Sequence, residues 1–270
     1  MNSKTDSYKK VAAITGAGRG NGRATAFELG KQGFSLLLGD IRADLLEETI
    51  GDLNSSGFKV SGGVYDASNL QDTDRFIKDI QEHYGKLDVF VNNAGASRPQ
   101  SFPEVTEEMW DWTIDLNLKG PYFLMQQVAK IMTPQRSGSI INIASISAWG
   151  GKTSSPPYAI AKAGIVTMTV TAAVLLGQYG VRVNAIAPGI VNTHFHDEVD
   201  LLVGQQQLGL QPGQLMQRAE TDIPLGRLAE SDDIASAVSF LASDASRYIT
   251  GETITAVSYT HLTLPTILLV

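Results

Sequence analysis

The sequence predicts an α/β fold: a single doubly wound, mostly seven-stranded parallel sheet with helices on both faces. Short, nearly continuous apolar runs recur along the chain, and a strand apolar on both sides must be covered on both sides. The segments between them have the length and amphipathic spacing of helices. No internal repeat or low-complexity linker divides the 270 residues, a length that suits one large domain.

In chain order, strands are expected at 11–15, 34–39, 58–65, 87–91, 139–144 and 181–186. The first leads directly into Gly16-Ala17-Gly18-Arg19-Gly20-Asn21-Gly22 and a helical run at 23–29. Glycines there let the backbone turn sharply and approach a pyrophosphate resting on the helix N-terminus. The second strand ends at Asp40, about 20 residues beyond the loop, where a carboxylate accepts hydrogen bonds from ribose hydroxyls. A 2′-phosphate would meet that like charge, so NAD is favoured over NADP, although Arg19 and Arg42 stand ready for a phosphate. Asp40 also suits a helix cap ahead of 43–50.

The third strand ends in Tyr65-Asp66-Ala67 and the fourth in Asn92-Asn93-Ala94-Gly95. Asp66 suits an adenine amino group and Gly95 permits close backbone packing over a cofactor, although plain turns use the same residues. Ser145 closes the fifth strand, and Tyr158 and Lys162 lie four apart on a helical stretch at 158–171, so the three meet at the sheet's carboxyl edge. A phenol is a poor base at neutral pH, and an adjacent ammonium is expected to pull its pKa down. Ser145 would hold the substrate oxygen where charge develops. By itself, a tyrosine four residues from a lysine is more often a packed ring beside a solvated charge. After the sixth strand, 193–222 reads as the one long irregular stretch, a candidate substrate lid.

A net charge of −7 offers no basic face to nucleic acid. The absence of cysteine excludes disulfides, thiolate metal sites and cysteine nucleophiles. His194 and His196 have no assembled third ligand, so no metal is expected. With a polar start and only a short apolar run at 262–270, interrupted by Pro265, a cytoplasmic protein with a small-molecule partner and no membrane partner is expected.

Thr15-Gly-x-x-x-Gly-x-Gly22, Asn92-Asn93-Ala94-Gly95, Asn117, Ser145, Tyr158-x-x-x-Lys162 and Pro188-Gly189, taken in order, resemble the classical short-chain dehydrogenase/reductase family over about 10–255. The resemblance implies a Rossmann fold and an NAD(P)-dependent oxidoreductase acting on CH–OH groups, assembled as a homotetramer or homodimer. It implies catalytic roles for Asn117, Ser145, Tyr158 and Lys162, Asn117 holding a water that links the lysine to solvent. It places the cofactor on Gly16, Gly18, Arg19, Gly20, Asn21, Gly22, Asp40, Ile41, Asp66, Ala67, Asn93, Ala94, Gly95, Tyr158, Lys162, Pro188, Gly189, Val191 and Thr193. Asn21 departs from the isoleucine usual in the family.

The domain is expected to span 1–256, because 257–270 fits no pattern of the family and looks like non-native read-through. Ser97, Trp149 and His194, with Arg98, Phe195 and His196, are the expected substrate contacts. Aromatic and neutral polar groups there suit a polyol, diol or sugar-type secondary alcohol. A 3-oxoacyl thioester reductase is the alternative, and a non-catalytic dinucleotide sensor the alternative of another class.

Overall fold

The computed structural model describes residues 10–257, apart from 151–153 and 222, so all of the atypical tail but Val257 lies outside the described residues. The first half alternates β1 (Val11–Thr15), α1 (Gly20–Lys31), β2 (Ser35–Asp40), α2 (Ala43–Ser55), β3 (Val60–Val64), α3 (Leu70–Tyr84) and β4 (Val89–Asn92). Next, α4 (Glu107–Ile114) runs through a π-helical turn (Asp115–Lys119) into α5 (Gly120–Gln135) and β5 (Gly138–Ile143). The short α6 (Ser147–Gly150) precedes the long α7 (Pro156–Leu176) and β6 (Val181–Pro188). The chain ends with α8 (His194–Val199), a second π-helical segment (Asp200–Gln207), α9 (Gln214–Thr221), α10 (Ser231–Ala242) and β7 (Thr253–Ala256).

All seven strands are parallel, in the order β3-β2-β1-β4-β5-β6-β7. The strand order reverses direction between β1 and β4, and a crevice opens there beyond the strands' carboxyl ends. Successive strand residues face opposite cores, as the pleat requires. Ala13, Leu37, Phe90, Ile140 and Val183 pack with Phe76 and Ile80 of α3, Leu124 and Val128 of α5 and Ile165 of α7. Their neighbours Ile14, Leu36, Leu38, Val91 and Ile141 pack with Ala26 and Leu29 of α1, Leu53 of α2 and Val238 of α10. Each buried Leu, Ile, Val or Phe among them stabilises the fold by about 1.5–3 kcal/mol before its entropy cost, which is why the strands read as uninterrupted apolar runs.

The expected strands lie where the apolar runs put them, with ends moved by a residue or two. The run at 58–65 shortens to β3 because Phe58 N–H donates to Leu53 O and closes α2 instead. The segment expected to be irregular is helical. Asp200 organises it: its carboxylate accepts from Gly213 N at 2.8 Å, Leu215 N at 3.3 Å and Gln205 Nε2 at 3.1 Å, tying the π-helical segment to the start of α9.

Candidate active site

A cleft of about 1090 Å³ opens across the carboxyl ends of the strands, lined at one end by Gly16, Arg19, Gly20, Asn21, Asp40, Ile41, Asp66, Ala67 and Asn93. Ala94, Gly95, Ser145, Tyr158, Lys162, Pro188, Gly189, Val191, Thr193 and His194 continue it toward the other end.

The β1–α1 turn is built from close backbone contacts that side chains would forbid. A Cβ on Gly22 would sit 2.0 Å from Gly16 O, and one on Gly16, at φ +65°, would sit 2.9 Å from Ala94 Cα. Asn93 ties the β4 end to the same turn, donating from Nδ2 to Thr15 O at 2.9 Å and Gly16 O at 3.0 Å. Thr15 Oγ1 accepts from the backbone of Asn93 and Ala94, each at 3.1 Å. Gly18 and Gly22 lie in the turn beneath the residues that line the cleft. Gly18 N–H is engaged with Asp40 Oδ2 at 2.8 Å.

Asp40 is a strut as well as a wall residue. Its other oxygen accepts from Arg42 N at 2.9 Å, so the cap expected for the next helix becomes a short turn before α2. The Arg42 guanidinium forks onto Asp44, Nε to Oδ1 at 3.1 Å and the terminal nitrogen to Oδ2 at 2.8 Å, and this partner holds the guanidinium well above its ordinary pKa.

At the other end, Tyr158 and Lys162 project from the first turns of α7 onto its buried face, and the lysine nitrogen lies 5.6 Å from the phenol ring centre. Lys162 Nζ donates to Ile143 O at 2.8 Å. Burial lowers this ammonium to about 8 and raises the Tyr158 phenol to about 12, with a Ser145 hydrogen bond pulling the phenol the other way. Burial thus outweighs the lowering of the phenol expected from Lys162. Ser145 is oriented by Ser147 N–H, which donates to its hydroxyl oxygen at 3.1 Å.

Asn117 sits in the π-helical turn after α4, where the widened backbone turns its side chain inward. Its Nδ2 donates to Ala96 O at 2.9 Å and Thr113 O at 3.0 Å. Among the described residues its buried Oδ1 has no hydrogen-bond partner. Both Asn117 Oδ1 and Lys162 Nζ crowd the space over Gly95, at 2.8 and 3.4 Å from where a Cβ would stand. An unsatisfied acceptor beside a buried ammonium fits a site that is completed by a water or a bound group.

Two expected substrate contacts lie elsewhere. Ser97 is buried, its hydroxyl donating to Ser155 Oγ at 2.8 Å, and does not line the cleft. Trp149 is 45% exposed on α6, and Gly150 and Ser154 line the cleft there instead. His194 stays in the wall, its ring 3.5 Å from Asp197. Sequence reasoning missed Trp112, Leu116, Val199, Val203, Leu215 and Met216, which give the substrate end an apolar lining. Phe195 packs on the Tyr158 ring, centroids 5.9 Å apart. Among the described residues no cluster of acids and histidines could hold a metal.

The glycine turn and the crevice at the reversal of strand order together fit an extended dinucleotide, its diphosphate over the start of α1 and its nicotinamide beside Tyr158. Comparison with known proteins agrees. Residues 16–257 match the family described as enoyl-(acyl carrier protein) reductase. The chain is 37% identical to a (2S)-[(R)-hydroxy(phenyl)methyl]succinyl-CoA dehydrogenase subunit, BbsD, of Thauera aromatica, over 90% of this chain and 93% of that one. It is 34% identical to the 3-oxoacyl-[acyl-carrier-protein] reductase FabG of Thermotoga maritima, over 91% and 95%. It superposes on an actinorhodin polyketide ketoreductase solved with NADPH with a TM-score of 0.89 at 27% identity, covering 93% and 96%. With its seven parallel strands, its glycine turn and its Ser-Tyr-Lys cluster, the chain belongs to the classical short-chain dehydrogenase/reductase family of NAD(P)-dependent oxidoreductases acting on CH–OH groups.

Proposed function

We propose that this protein interconverts a secondary alcohol and a ketone with NAD as its preferred cofactor, Tyr158 moving the proton. The observation that carries this reading is the convergence of Ser145, Tyr158 and Lys162 in one cleft with the glycine turn. Bound there, the nicotinamide supplies or accepts the hydride. Ser145 orients the substrate oxygen and Tyr158 Oη gives or takes its proton. Lys162 holds positive charge beside the phenol, and Asn117 Oδ1, the unsatisfied acceptor, anchors a water on the lysine side.

NAD is favoured over NADP because Asp40 presents a carboxylate where a 2′-phosphate would lie, while Arg42 is already spent on Asp44. The NADPH in the related ketoreductase keeps NADP as the competing cofactor. Gly16, Arg19, Gly20, Asn21, Ile41, Asp66, Ala67, Asn93, Ala94, Gly95, Pro188, Gly189, Val191 and Thr193 form the rest of the proposed cofactor wall.

For the substrate, Val199, Val203, Leu215 and Met216 give a polyol's hydroxyls nothing to bond. We therefore place apolar carbon beside the carbinol. The names of BbsD and FabG favour acyl thioesters as a second reading. Absorbance at 340 nm with panels of secondary alcohols and 3-oxoacyl thioesters, NAD and NADP side by side, tests the proposal. Tyr158→Phe is expected to cut turnover at least about 100-fold, the usual yield of acid–base catalysis, while leaving NADH binding intact. Unchanged turnover in that variant would remove Tyr158 from the chemistry, and NADH binding without turnover of any panel member would restore the sensor reading.

A further inference from the structure

Charge is distributed unevenly along the cleft. Among the described residues lining it, the carboxylates are Asp40 and Asp66, both at the end formed by β2 and β3. The rest of the described lining, which includes Arg98, Trp112 and the lid residues Phe195, Val203, Leu215 and Met216, carries no acid. In a chain with 28 acidic and 21 basic residues, a stretch of lining with a cation and no acid runs against the composition.

The posture of Arg98 sharpens the point. Its guanidinium lies over the Trp112 ring, 4.2 Å from the centroid. Arg23, Arg42, Arg75 and Arg227 each hold an aspartate, whereas no described acid pairs with Arg98. Stacking occupies a face of the guanidinium and fixes its plane, leaving the in-plane N–H fork to donate in pairs. That fork matches the two oxygens of a carboxylate. The lid offers apolar carbon to the same cleft, which Ser145 and Tyr158 also line.

We propose that the substrate is a hydroxy acid, or the corresponding oxo acid, whose carbinol carbon carries an apolar arm on one side and a carboxylate-bearing arm on the other. The apolar arm lies under the lid and Arg98 holds the carboxylate. The inference rests on the reading of Ser145 and Tyr158 as the reacting end of the cleft. In oxidation the carbinol C–H bond gives its hydride to NAD⁺, the O–H proton leaves through Tyr158, and the carboxylate is unchanged. Free acid is thereby distinguished from a simple 3-oxoacyl thioester, whose one acyl carboxyl is bonded to sulfur and leaves no carboxylate for the fork.

Two measurements test this. Calorimetry on the NADH-loaded protein compares 3-phenylpropanoate with the neutral 3-phenylpropanol, and kinetics with NAD compare 3-hydroxy-3-phenylpropanoate, its methyl ester and 1-phenyl-1-propanol. We expect the acid to bind at least about 10-fold more tightly than the alcohol and to be the best of the three substrates, from the strength of a charge-assisted pair. Arg98→Ala is expected to raise KM for the acid about 10- to 100-fold with kcat little changed, and KM for the two neutral compounds far less; Arg98→Lys restores part of the loss. A preference for the ester or the alcohol overturns the proposal, and so does an Arg98→Ala loss shared equally by all three. The absence of turnover with NADH bound overturns it too. Failure to bind NADH overturns instead the oxidoreductase reading on which it rests.

Discussion

Burial acts in opposite senses on the two ionisable groups of the proposed catalytic pair. It holds the Tyr158 phenol up near 12 and the Lys162 ammonium down near 8, so the first proton to leave the pair does so near pH 8. Alcohol oxidation needs that proton gone. We predict that kcat/KM for NAD, which reports the unliganded protein, rises about tenfold per pH unit up to pH 8 and then levels, while ketone reduction falls above the same point. The sign for stability follows from Lys162 alone. A base whose pKa is lowered on folding binds its proton more weakly in the folded state. It therefore destabilises the fold below pH 8 and is progressively relieved as pH climbs toward the unfolded value of about 10.4. Lys162→Met should abolish the pH 8 inflection and melt at a higher temperature than the parent at pH 7, with the gap narrowing by pH 10. Equal melting temperatures at pH 7 would show that the Nζ to Ile143 O bond repays the burial of the charge.

Elements position these residues through contacts that a side chain would break, and the β1–α1 turn is the clearest case. Gly22 lets the first turn of α1 pass against Gly16 O, while Thr49 Oγ1 donates to Gly18 O at 3.0 Å and fixes the loop to α2. Gly22→Ala must push α1 away from β1. We expect it to melt several degrees lower and to bind NADH at least about tenfold more weakly, since the donors proposed to face the diphosphate move with the turn; a titration by NADH fluorescence checks this. Turns of this kind are legible in sequence because they depend on glycine, on a strand before and on a helix after, all local. The i, i+4 spacing of Tyr158 and Lys162 is legible for the same reason. Ser97 and Trp149 were misplaced because adjacency to a strand end says nothing about which way a side chain turns once Ser155 or solvent competes for it. The helices at 194–221 went unread because the π-helical segment and α9 are tied together by Asp200, whose bonds to Gly213 and Leu215 reach across a loop. Trp112, Leu215 and Met216 come from elements distant in sequence, and no spacing brings them together.

At the scale of the whole molecule, the helix that carries Tyr158 and Lys162 leads a double life. The stretch Pro156–Tyr179 is long and apolar enough to cross a membrane by length and composition, yet its Ile165, Met168 and Ala172 are built into the core beneath the sheet. Its outer face is apolar as well: Ile160, Val170, Val174 and Leu175 are exposed, Val174 by 76%, and on the neighbouring α5 so are Tyr122 and Phe123. A helix with one face built into a core cannot turn that face to lipid without tearing the core open. The outer stripe calls for protein, and a second copy, presenting the same stripe, is the partner whose surface matches by symmetry. We therefore predict a homodimer or homotetramer, with multi-angle light scattering giving two or four times the 29.0 kDa chain mass. Val174→Lys combined with Leu175→Lys should return the single-chain mass and lower the melting temperature. Turnover should fall with it, since assembly would clamp the outer face of the helix whose inner face holds the proposed catalytic pair. A parent that runs at the single-chain mass, or a double variant that stays assembled, would place the contact elsewhere.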